Sequence, residues 1–432
     1  GKYRYGPNDT CETKTKRIAL KQSYDADSSI PQTAASLHDD HVSRCDVPVA
    51  NTSEYDFSSP TMLVDYSKYF KGKQHYTKGC KWSGNGNQLL VMSSDQKFRL
   101  LDLPAELSAP NLTEVPAGGF KAPKPSLVVT EGELVYDYQW FPSSSDCHSA
   151  EGHATYSFAC CCRGLPVHLW SAVTGELVCS YKPYNLQDEL APALSLGFSR
   201  DGTKLVCGFN KSIRIFQTAR PGRTFDTICA KRQNGIISCF DFHPHLHHVM
   251  AAGSYLKGIG LYNLNSGKMF AILEGQRGGL TQLRFSSDGL RLYTAARKDN
   301  ELLCWDIRNM GNVLNSHQRL VDTQQRISFS LSSDDRTLVS GSTDGHVHTW
   351  DVDPDRSNES RRPPARFLAA DDCVNGVSLH PSRAILATSS GQRRRSPHPD
   401  DHDEDDSDEV DHLTLTRHSS VKLWCGGAAA RC

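Results

Sequence analysis

An all-β ring of seven four-stranded blades, a β-propeller, is the fold class this sequence predicts. Two observations carry that expectation. Seven short apolar strands run into a similar stop: FRLLDL (Phe98 to Leu103), VHLWSA (Val167 to Ala172), IRIFQT (Ile213 to Thr218), GLYNL (Gly260 to Leu264), LLCWDI (Leu302 to Ile307), VHTWDV (Val347 to Val352) and VKLWCG (Val421 to Gly426). The bulky residues at the stop also recur: Trp170, Phe216, Tyr262, Trp305 and Trp350 are separated by 46, 46, 43 and 45 residues. A period of about 40–45 residues with four strands per unit is one WD-repeat blade. The full Trp-Asp pair survives at Trp305-Asp306 and Trp350-Asp351.

Residues 1–54, at the start of the chain, are polar and without strand or helix periodicity, and read as a disordered leader. Residues 55–427 form the expected propeller, with 428–432 left as a tail. At its start, YDFSSPTMLVDYSKYF (Tyr55 to Phe70) regains aromatic and β-branched residues. A first strand that completes the last blade removes the exposed sheet edge, and Met62 to Tyr66 is the expected latch. Seven inner strands then alternate apolar and polar residues, from GCKWS (Gly79 to Ser83) to NGVSLHP (Asn375 to Pro381). Asn85-Gly86, Asp201-Gly202 and Asp288-Gly289 close hairpins, because these pairs accept the positive φ that two-residue turns need. Two spacings are long. One holds a Pro-rich linker (Pro104 to Pro125) and a loop (Pro142 to Gly152). The other holds a charged insert, residues 393–413, with Arg393 to Arg395 followed by nine acidic residues between Asp400 and Asp411. Such a block reads as a solvated, disordered loop.

Composition narrows the function classes. The net charge is −1 over 432 residues, so charge must be argued from its distribution. There are 15 Cys without a CxxC; Cys160, Cys161 and Cys162 are consecutive in an expected strand and read as small buried side chains. No apolar run is long enough to span a membrane. No phosphate loop, GxSxG or HExxH is present, so the expectation is a non-catalytic platform without cofactor or metal. His243, His245, His247 and His248 crowd one hairpin turn, where a solvated turn is a better reading than a metal site. Asp306, Asp351 and Asp344 are expected to be structural.

The binding face is read from the turns. In each blade the turn between the second and third strands emerges on the same face as the connections between blades. Six of these seven turns carry a cation: Lys97, Arg163, Lys211, Lys257, Arg297 with Lys298, and Arg393 to Arg395. The connections add Lys231, Arg232, Arg277 and Arg326; the opposite turns carry mainly Asp, Asn, Ser and His. Tyr184, Phe209 and Tyr255 lie close by as possible stacking residues. Cations interleaved with aromatics suit single-stranded RNA, whose phosphates pair and whose bases stack. The same face would also suit acidic peptides, so a protein-only scaffold is the competing reading.

Several unusual strings narrow this further: KGCKW (Lys78 to Trp82), YDYQW (Tyr136 to Trp140), GFNKSIRIFQTARPGR (Gly208 to Arg223), ARKDNELLCWDIR (Ala296 to Arg308), QRISF (Gln325 to Phe329), ATSSGQR (Ala387 to Arg393) and LWCGG (Leu423 to Gly427). On these the chain resembles the telomerase Cajal body protein family over about residues 60–427. The resemblance implies a nuclear WD-repeat scaffold that recognises a short box in the terminal loop of small Cajal-body RNAs and telomerase RNA and concentrates them in Cajal bodies. It also implies association with box H/ACA ribonucleoprotein and telomerase proteins, coilin, survival-of-motor-neuron protein and DNA-repair factors, and folding by the cytosolic chaperonin.

Overall fold

The computed structural model describes residues 55–70, 75–108, 115–116, 118–142, 156–356, 361–393 and 419–426. The expected leader, the tail, most of the Pro142 to Gly152 loop and the charged insert beyond Arg393 lie outside the described residues. Among the described residues, twenty-eight strands, numbered in chain order, form seven antiparallel four-stranded sheets. The innermost strands are β2 (Thr77–Trp82), β6 (Val135–Trp140), β10 (Ser195–Phe198), β14 (Ile237–Phe242), β18 (Leu280–Phe285), β22 (Phe329–Leu331) and β26 (Val374–Leu379). Blades 1 to 7 are named after these strands in order.

The seventh sheet is completed by β1 (Thr61–Asp65), which pairs antiparallel with β28 (Val421–Cys425). The latch is thus real, one residue earlier than the sequence suggested. Leu63 and Val64 are both fully buried in the core. The Pro-rich linker packs over the latch: the Phe120 N–H donates to the Leu63 carbonyl at 2.6 Å. Ring closure pairs the free edge of the last blade.

Apolar clusters lie between neighbouring blades. Phe216, Tyr262 and Trp305 are fully buried at their stops, and Trp350 and Trp424 nearly so. The Trp305 and Trp424 indoles each donate to a threonine on the adjacent strand, Thr294 and Thr388, at 3.0 Å. Asp306, Asp351 and Asp344 are structural as expected: each accepts a backbone N–H in its turn, from Arg308, Asp353 and His346.

The inner strands depart from simple alternation. β2, β6, β14, β18 and β26 all break register at their first pair. The extra residues are Lys78, Tyr136, Ser238, Thr281 and Asn375. A bulge re-aims a side chain and flips the inward–outward parity of the rest of its strand. This bulge is repeated at one end of the central channel.

Candidate nucleic-acid interface

The second-to-third turns emerge on one face, the upper face. Their local geometry is specific. Six of the seven hold one left-handed residue: Gln96 (φ 63°), Gly164 (69°), Lys211 (54°), Lys257 (77°), Lys298 (47°) and Gly345 (84°). Glycine adopts this conformation without steric penalty, whereas another L residue is strained by about 1–2 kcal/mol. Three successive blades, 3 to 5, place lysine there. All three lysines are exposed.

Cations are not spread evenly round the ring. Lys211, Lys231, Arg232, Lys257 and Lys298 are exposed, with no acidic partner within 4 Å among the described residues. Arg277 is exposed and only loosely paired, 4.0 Å from Glu301. All belong to blades 3 to 5 or the connections between them, and among the described upper-face turn and connection residues there Glu274 is the one exposed acid. The connections and turns of blades 5 to 7 present exposed Asp322, Asp344 and Asp371 instead. The basic surface is therefore an arc over three blades, where the sequence suggested a whole face.

The remaining sequence-derived cations are placed differently. Arg163 pairs with Glu133 at 2.8 Å, which offsets its charge. Lys97 begins its strand half-buried. Arg326 turns into the channel, where it donates to Asp137 at 2.7 Å and to the Ser238 carbonyl at 3.2 Å. Burial disfavours its charge, yet Asp137, Tyr255 and Cys239 together outweigh this and hold its pKa above the usual guanidinium value. Arg297 is half-buried and lies 3.6 Å above the Tyr255 ring; burial, with Arg326 nearby, lowers its pKa. Arg393 is exposed, whereas Arg394 and Arg395 lie outside the described residues.

The aromatic expectations divide. Phe209 is only 6% exposed, so it cannot stack on a base; the Arg214 guanidinium packs 4.4 Å from its ring. It ends the second strand of its blade, where its parity points inward. Tyr184 is half-buried beneath Arg223 at 3.8 Å. Tyr255 is half-buried at the channel mouth.

The channel has two cavities. The upper, about 360 Å³, is lined by Lys78, Tyr138, Tyr255, Arg297, Gln325 and Arg326, among others. The lower, about 470 Å³, opens on the opposite face and includes Arg200, Asp241 and Arg284. Those two arginines correct the expectation that the opposite side is poor in cations; Asp241 lies 3.9 and 4.0 Å from them. Lys81, Asp137 and Arg326 border both cavities. Burial lowers the pKa of Lys78 and of Lys81 to about 8.

The histidine turn folds around itself: His243 Nδ1 accepts the backbone N–H groups of His245 and Leu246 at 3.2 and 3.0 Å. Among the described residues, one group brings ligand atoms close enough for a shared ion: Glu131, Cys160 and Cys162, all buried. Its carboxylate is already satisfied. The Trp170 indole donates to it at 2.5 Å and the Cys160 thiol at 2.8 Å, and His168 Nδ1 lies 3.1 Å away. This network locks blade 2 together and explains why a buried carboxylate is tolerated there.

Comparison with known proteins agrees with this architecture. The family model "WD domain, G-beta repeat" matches residues 267–306 and 312–351. The chain is 42% identical over 385 residues to Telomerase Cajal body protein 1 of Homo sapiens, covering 87% of this chain and 68% of that protein. The Bos taurus protein of the same name is 41% identical over 86% of this chain and 69% of its own length. The Drosophila melanogaster homologue is 36% identical over 81% of this chain and 62% of its own length.

The chain belongs to the telomerase Cajal body protein 1 family. A WD-repeat propeller in such a family is an architecture typical of non-catalytic scaffolds. In this family member, sequence reasoning passed over Lys78, Tyr138 and Gln325, which line the upper cavity. The signal for Lys78 was present, a lysine inside an otherwise strand-like KGCKW. Tyr138 and Gln325 meet only because strands far apart in the chain converge on one channel.

Proposed function

We propose that the upper face of blades 3 to 5 holds the single-stranded loop of an RNA hairpin, of the small Cajal-body RNA and telomerase RNA class, and so acts as the non-catalytic subunit that brings these RNAs to Cajal bodies. One observation supports this most: lysine occupies the strained turn position in three successive blades, where glycine would be free of strain. Strain retained on an exposed, charged position points to a binding role. Lys211, Lys257 and Lys298, with Lys231, Arg232 and Arg277, offer contacts to phosphates; single-stranded loops also expose bases for stacking. The relatives' names supply the telomerase and Cajal-body context. The associations with H/ACA ribonucleoprotein, telomerase proteins, coilin, survival-of-motor-neuron protein and the chaperonin rest on family membership alone.

The test is a salt titration. With about five phosphates neutralised, single-stranded binding should weaken about 100-fold between 50 and 200 mM salt. Replacing Lys211, Lys257 and Lys298 together with Gly should flatten the log–log slope by about 2. The melting temperature should not fall, because relief of turn strain offsets the flexibility that glycine adds to the unfolded chain. A flat salt response in the wild-type protein would favour the protein-only scaffold.

A further inference from the structure

We infer that the upper mouth of the central channel takes one unstacked nucleobase of the bound RNA, set against the Tyr255–Arg297 pair and read by Tyr138, Gln325 and Arg297. This rests on the reading of the adjacent arc as the phosphate-binding surface.

Four observations carry it. The mouth opens into a cavity of about 360 Å³, bordered by the basic arc through Tyr255 and Arg297. Three buried polar atoms there have no hydrogen-bond partner: the Tyr138 hydroxyl, Gln325 Oε1 and Arg297 Nε. Tyr138 is only 7% exposed, and its residue borders the cavity. Its hydroxyl is admitted by a close approach to Gly79, where a Cβ would lie 3.2 Å from the oxygen. Finally, the Tyr255 ring is held by the guanidinium 3.6 Å from its centre, a flat, preset wall.

Buried polar groups are nearly always paired, so three orphans around one cavity call for a ligand with matching edges. A phosphate does not fit, since it has no donor for the Gln325 carbonyl. A nucleobase does: its flat ring suits the Tyr–Arg wall, and its edge offers acceptors to Tyr138 and Arg297 and a donor to Gln325. The Asp137–Arg326 pair borders the same cavity on the side shared with the lower one.

The experiment uses the full chain and a pool of RNA hairpins with randomised loops. Hairpins retained by the wild-type protein are compared with those retained by Tyr138→Phe and by Gln325→Leu, after checking that all three melt alike. The expected result is one loop position fixed to a single base in the wild type. Discrimination at that position should drop about tenfold in each variant, the scale of one lost hydrogen bond, while the salt slope stays the same. Identical base preferences in all three proteins, with the salt slope intact, would overturn the base pocket and leave the phosphate arc standing. Failure of the wild type to retain any hairpin would overturn both.

Discussion

Lys78 shows how much one residue's surroundings decide. A bulge in β2 places it at the upper mouth, where its Nζ donates to the Val135 carbonyl at 3.2 Å. Burial brings its pKa from the usual 10.5 to about 8. Its charge is therefore lost as pH rises through about 8. RNA affinity should fall over that range, and Lys78→Arg should remove this part of the profile, as binding measured from pH 7 to 9 would show. Stability should move the other way. Between pH 8 and 10.5 the unfolded chain holds the proton that folded Lys78 has released, so the contribution of this group to stability increases with pH. Binding that weakens in step with a falling melting temperature would contradict this assignment. The cations of blades 3 to 5 were legible in the sequence because turn tips are exposed whatever the packing. The inward turn of Arg326 was not, because its partner Asp137 is 189 positions away. Nor was the burial of Phe209, which comes from strand parity at the end of its strand.

At the scale of elements, the latch and the bulges do different work. β1 closes the ring, and its Leu63 is fully buried in the cluster it shares with β28. Leu63→Ala should cost about 2–5 kcal/mol and loosen the only strand of the seventh sheet that comes from the start of the propeller. Thermal melting with size-exclusion chromatography should show lower stability and self-association through the freed β28 edge. An unchanged melting temperature would mean that the latch is dispensable. The latch was legible because aromatic and β-branched residues return abruptly before the first repeat. The bulges were not, because a register shift is invisible until a strand has its partner. They nevertheless deliver Lys78 and Asn375 to one mouth of the channel.

On the scale of the whole molecule, seven repeats build a disc whose upper face is divided by charge. Blades 3 to 5 and their connections carry Lys211, Lys231, Arg232, Lys257 and Lys298, exposed and without an acidic partner among the described residues, and the stretch from blade 5 to blade 7 carries exposed aspartates. A near-neutral protein can in this way steer a polyanion to one sector of its surface. The sequence showed the repeat number and the basic face, since both arise from local patterning. It overstated the extent of that face, because neutralising partners such as Glu133 come from neighbouring connections. The most direct measurement is ultraviolet crosslinking of a bound RNA hairpin to the full chain, with the attached peptides identified by mass spectrometry. Attachment should concentrate in the turns and connections spanning residues 210–212, 230–236, 254–258 and 297–300. Crosslinks confined to the outer strands or to the opposite face would contradict the account.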